Sequence, residues 1–207
     1  MNQNKPTIIQ LSIAVLVCVL SFGCFHTSGH SGGDCEKSFR KANDFFNKYY
    51  MTGNSALLDS SLHIIDEEIH FCSRYKVRMG NMAIRIFILQ KKGERGLRFV
   101  DSLDANTFSK IYQKDIYRDV FIAMDAEKTG NLEKRDLAYQ HSLDEISNYV
   151  TLHPENKEAI ADLFYLKIKL EDQEKVVSEI KRYMVSSAIK DSVFWEGLMN
   201  TVRSIPQ

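Results

Sequence analysis

The chain has no net charge: 27 Lys and Arg residues stand against 27 Asp and Glu. Without an excess of one sign there is no strong field to steer a nucleic-acid backbone, so nucleic acid is excluded as a partner. Catalytic signatures are missing as well. There is no Gly-x-Ser-x-Gly, no glycine-rich phosphate loop and no His-Glu-x-x-His, so an enzyme reading has no residue to rest on and no cofactor is expected. Proline is scarce, three in all. Pro154 ends a helix at His153, because the residue before a proline is pushed out of helical geometry. Long apolar runs are confined to the start. Ile8 to Leu20 is uncharged and mostly apolar, but shorter than the roughly 20 residues of a spanning helix.

What is present at the start, Lys5, then the apolar run, then Leu20-Ser21-Phe22-Gly23-Cys24, reads as a bacterial secretory signal. The last five residues resemble the lipobox of bacterial lipoproteins, in which the cysteine is acylated, with palmitate among its chains, and becomes the mature N-terminus. The resemblance implies cleavage after Gly23, a lipid on Cys24 and attachment to the outer membrane or the periplasmic face of the envelope. Ser21 and Gly23 also suit an ordinary signal peptidase, giving a soluble periplasmic or secreted form, and an uncleaved anchor is the third possibility. The expected organisation is residues 1–23 as signal, 24–35 as lipidated cysteine and Gly/Ser-rich tether, and 36–207 as a helical-repeat domain. His26 and His30 fall in the tether as spacer residues.

The folded body keeps two of the four cysteines, Cys35 and Cys72, flanking two expected helices of about 17 residues each. Antiparallel helices of similar length bring the chain back to where it began, which predicts a Cys35–Cys72 disulfide in an oxidising compartment. Two independent small core residues are the alternative.

Helical periodicity runs through the rest, and 44% apolar content is enough for a packed array. Leu58, Leu62, Ile65 and Ile69 line one face, as do Tyr139, Leu143, Ile146 and Val150, and Ala159, Leu163, Leu166 and Leu170. Met79 to Leu89 is apolar on nearly every face and reads as a buried central helix; its Ile84-Arg85-Ile86-Phe87-Ile88 alternation has no second strand to pair with. Tyr112, Ile116, Val120 and Ala123 mark a long helix, and Trp195, Leu198, Val202 and Ile205 a closing one. Turns at Gly53, Gly93, Gly130 and Glu171 recur about every 40 residues, an interval that signals stacked helical hairpins.

Tyr50-Met51-Thr52-Gly53-Asn54 with Leu57-Leu58, Lys92-Gly93-Glu94 with Leu97, and Leu152-His153-Pro154-Glu155-Asn156 resemble pieces of tetratricopeptide repeats, particularly those of lipid-anchored bacterial envelope proteins. The resemblance covers roughly 39 to 186. It implies an all-α fold, a right-handed α-solenoid of about four helical hairpins plus a C-terminal capping helix. It also implies an adaptor or scaffold that binds another envelope protein or peptide in its groove, with the membrane reached through the N-terminal lipid. First helices of such repeats line the groove, which points to Asn43, Asn47, Tyr50, Asn81, Arg85, Tyr165 and Lys169 as contact residues. An immunity or inhibitor protein that caps an envelope toxin is the alternative role.

Two clusters have metal-like spacing. Asp125 to Asp136 resembles a calcium loop, with Asp125, Glu127, Thr129, Asn131 and Asp136 as ligands and Gly130 at the sharp turn. A polar turn between helices explains the same residues. His63, Glu67 and His70 share a helical face, where a solvated surface is the simpler account.

Overall fold

A computed structural model describes residues 33–205; the expected signal over 1–23, the expected lipid site Cys24 and residues 25–32 of the expected tether lie outside the described residues. These residues form nine α-helices and no strand. In chain order they are α1 (Gly33–Thr52), α2 (Ala56–Glu68), α3 (Lys76–Leu89), α4 (Gly93–Ser102), α5 (Gln113–Lys128), α6 (Leu132–Leu152), α7 (Lys157–Leu170), α8 (Gln173–Ser186) and α9 (Ser192–Ser204). Among the described residues no helix is long and apolar enough to cross a membrane. The stretch read from the sequence as one repeat domain divides into two compact units, 33–130 and 131–205.

In the unit 33–130, α1 lies close against α2, and α4 against α5. The stripe Leu58, Leu62, Ile65, Ile69 is buried as its spacing requires, at 2% exposure or less. Ser61 ties α2 to α1, its hydroxyl donating 2.9 Å to the Ala42 carbonyl, both residues fully buried. α3 is the central helix, burying Met79, Met82, Ala83, Ile84, Ile86 and Phe87, so the apparent alternation is a helix with little solvent face. Phe87 meets Phe99 of α4 and Phe121 of α5, ring centres 5.4 and 6.4 Å away.

Local chemistry explains the turns. Gly53 and Gly130 have positive φ of 69° and 72°, a left-handed conformation that costs glycine little and ends α1 and α5. Gly93 is different. At that turn Lys91 takes the positive φ (53°), while Gly93 begins α4, and a Cβ there would lie 2.3 Å from Asp125 Oδ1. The glycine admits a neighbouring helix instead of bending the chain.

Cys35 and Cys72 form the expected disulfide, their Cα atoms 5.4 Å apart. α1 begins at Gly33, so Cys35 lies in its first turn and not before it. The inward face of α5 is also displaced from the expected stripe: Phe121 is fully buried, while Val120 is half-buried.

The unit 131–205 holds α6 to α9, each opened by a side-chain cap. Asn131, Asn156, Asp172 and Asp191 accept from backbone N–H groups of Lys134, Ala159, Glu174 and Phe194, each cap contributing about 1 kcal/mol. α6 packs on α7, and α9 packs on both α7 and α8. Trp195 anchors α9 at 1% exposure, its indole N–H donating 3.1 Å to the Ile189 carbonyl.

Candidate functional site

An open groove of about 640 Å³ lies inside the unit 131–205, between the end of α6, α7 and α8. Helical spacing puts three sets of side chains on it. Ser147, Val150 and Thr151 come from α6, Leu163, Phe164 and Lys167 from α7, and Glu179, Arg182, Tyr183 and Ser186 from α8, with Pro154 at one edge. Val150, Leu163 and Phe164 are buried and make an apolar floor. The Tyr183 ring stands edge-on to Phe164, 5.8 Å between centres. Its burial raises the phenol above the ordinary value of 10.0, so the hydroxyl keeps its proton at neutral pH.

Charge sits to one side of this floor. Lys167 pairs with Glu179, both side chains about four-fifths buried, and exposed Arg182 lies 3.8 Å from the same carboxylate. Two cations therefore share one anion. The groove hydroxyls are held locally: Ser147 donates to the Leu143 carbonyl, Thr151 to Ser147 and Ser186 to Tyr183. Ser147, Thr151 and Ser186 are thus tied to their own helices, and Glu179 is engaged by cations.

The contact residues expected from the sequence are scattered by comparison. In the unit 33–130, Asn43 is half-buried and Asn47 exposed on α1. Tyr50 packs its ring on Phe46 and Tyr49 at 5.2 and 5.4 Å. Asn81 and Arg85, both half-buried, sit on α3, one helical turn apart; Asn81 Oδ1 is buried without a hydrogen-bond partner among the described residues. In the other unit, Tyr165 and Lys169 pair with each other on α7, the ammonium 4.9 Å from the ring centre. Neither lines the groove; Lys167, two residues away from each, does. Sequence reasoning missed Lys167, Glu179, Arg182 and Tyr183. The i, i+3, i+4 set Glu179, Arg182, Tyr183 was visible, but nothing in it says that α7 lies opposite.

The metal-like clusters are used structurally. Asp125 to Lys128 continue α5 as helix, the Thr129 hydroxyl donates to the Asp125 and Ala126 carbonyls, Asn131 caps α6, and Asp136 pairs with Arg135 at 2.7 Å. Over Asp125 to Lys128 the backbone is helix, where a calcium loop would use an irregular backbone to aim its ligands at an ion. His63 and Glu67 approach to 3.4 Å on the exposed face of α2. Among the described residues no three His, Cys, Asp or Glu side chains are grouped to hold a metal ion. No protein-family model matches the chain, and no curated protein and no solved structure matches it.

Proposed function

We propose that the protein is a non-enzymatic interaction module of the bacterial envelope, anchored through lipid on Cys24, that binds a protein or peptide segment in the groove between α6, α7 and α8. Each unit is read as a piece of right-handed tetratricopeptide-like solenoid, a reading supported by consecutive helices packed on their neighbours. The observation that carries the proposal is the groove itself: an apolar floor of Val150, Leu163 and Phe164 beside two cations that share Glu179. Such a surface receives an apolar side chain while offering Arg182 to a carboxylate.

A photo-crosslinking amino acid placed at Ser186 on the groove, and at Val193 of α9 as a control, tests it in intact cells. One discrete adduct from position 186, absent from 193 and lost on Lys167→Glu with Arg182→Glu, is the expected result. Its identity separates an adaptor from a toxin inhibitor. Adducts from 193 but not 186 overturn the assignment of the groove.

A further inference from the structure

The unit 33–130 has an end at which three segments meet. The Cys35–Cys72 bond holds the segment after α2 to the first turn of α1, and Phe39 stacks on Tyr75 with ring centres 5.2 Å apart. Lys76 reaches Asp104 at 2.6 Å, and Lys114 donates 2.6 Å to the Leu103 carbonyl, which joins the stretch between α4 and α5 to the same end. Two large apolar side chains of this end point away from the core: Phe71 is 82% exposed and Ile111 86%. Residues 69–78 add Arg74 and Arg78 to Lys76, which Asp104 neutralises, and Asp34 and Glu36 stand in the first turn of α1. Arg74 and Arg78 are exposed, lying over the Tyr75 and Phe39 rings.

The chain outside the structure joins the unit at this end, because α1 begins at Gly33. Cys24 precedes Gly33 by only nine positions. Such a segment spans about 30 Å at full extension and about 16 Å on average for a Gly/Ser-rich tether. A short tether keeps this end near the bilayer at an effective concentration of about millimolar, where two apolar side chains and a few cations suffice for contact.

We propose that this end of the unit 33–130, led by Phe71 and Ile111, rests on the phospholipid surface of the membrane that holds the N-terminal anchor. Phe71 and Ile111 enter the boundary between headgroups and acyl chains, and Arg74 and Arg78 meet lipid phosphates. The inference rests on the anchoring reading above and holds equally for an acylated Cys24 or an uncleaved apolar anchor.

The test uses full chain isolated from membranes and reconstituted into vesicles of phosphatidylcholine and phosphatidylglycerol. Single variants Phe71→Trp, Ile111→Trp and the control Val193→Trp are compared in vesicles with and without brominated acyl chains. Buried Trp195 gives the same background in all three. Flotation of the vesicles reports attachment separately. The expected result is about twofold quenching of the added emission at 71 and 111 and none at 193. A chain that floats, with 71 and 111 quenched no more than 193, overturns this inference alone. A chain that does not float overturns the anchoring reading and this inference with it.

Discussion

The ring of Phe121 fills the space where a side chain on residue 96 would begin: a Cβ on Gly96 would lie 2.3 Å from Phe121 Cε1. Both residues are buried, and the contact lets α4 and α5 lie as close as they do. Gly96→Ala is therefore expected to destabilise the chain by about 3 kcal/mol, since a fully buried ring has nowhere to yield. Combining it with Phe121→Leu should cost less than the sum of the two single changes, because the smaller side chain makes room. Urea unfolding of the four proteins measures both.

The Cys35–Cys72 bond closes a loop with a sequence separation of 37. Chain-entropy reasoning gives about 4 kcal/mol for a loop of that length. Adding reductant, or making Cys35→Ser with Cys72→Ser, should lower the unfolding midpoint accordingly. If the reduced and oxidised chains unfold at the same urea concentration, the bond contributes nothing to stability.

Three exposed carboxylates are held below the ordinary aspartate value of 3.8. Asp59 is lowered first by its hydrogen bond from Gln90 and then by Lys92; Asp104 is lowered by Lys76, and Asp191 by Lys157 and then the Phe194 N–H. In each case the unfolded chain binds protons more readily than the folded one, so this stability is present above about pH 4 and is lost as the pH falls through the folded value. Asp191→Asn keeps the cap on α9 but removes the charge. The variant should be less stable than the parent at pH 6 and approach it near pH 3, as read from urea midpoints across that range.

Lys167 and Glu179 are only partly screened by water. Glu179→Gln leaves Lys167 and Arg182 beside each other without their carboxylate, and should destabilise by about 1 kcal/mol. A double-mutant cycle with Lys167→Met should return a coupling of similar size that shrinks in high salt. Absence of coupling at low salt would show that the pair does not shape the groove.

The acid-sensitive and overpacking effects arise from contacts between helices, and this is where sequence reading stopped. Local periodicity was enough for the helices themselves. Leu58 to Ile69, Tyr139 to Val150 and Met79 to Phe87 repeat apolar residues at helical spacing, and a helix hides such a stripe whatever it packs on. The Cys35–Cys72 bond was legible for a related reason: the runs from Cys35 to the Gly53 turn and from that turn to Cys72 are of similar length, although the helices within them hold 20 and 13 residues, so the chain returns to the end where it began.

Which helices lie closest was decided only in three dimensions. The regular glycine-marked interval pointed to a hairpin about Gly130, yet that turn separates two compact units, and the close partner of α5 within its unit is α4. Periodicity records how much of a helix is apolar and on which side, but not the identity of its partner. That depends on shape, and here on two absent side chains, at Gly93 and Gly96. The groove obeys the same logic. Lys167 and Glu179 are separated by 12 residues, a spacing that carries no helical signal, and they meet because α7 and α8 fold back on each other. By itself the sequence determined the helices, most of their buried faces and the nearness of Cys35 to Cys72; the tertiary structure alone decided the exact inward face of α5, the helix pairing and the groove, because those depend on side-chain volume between segments and not on order along one.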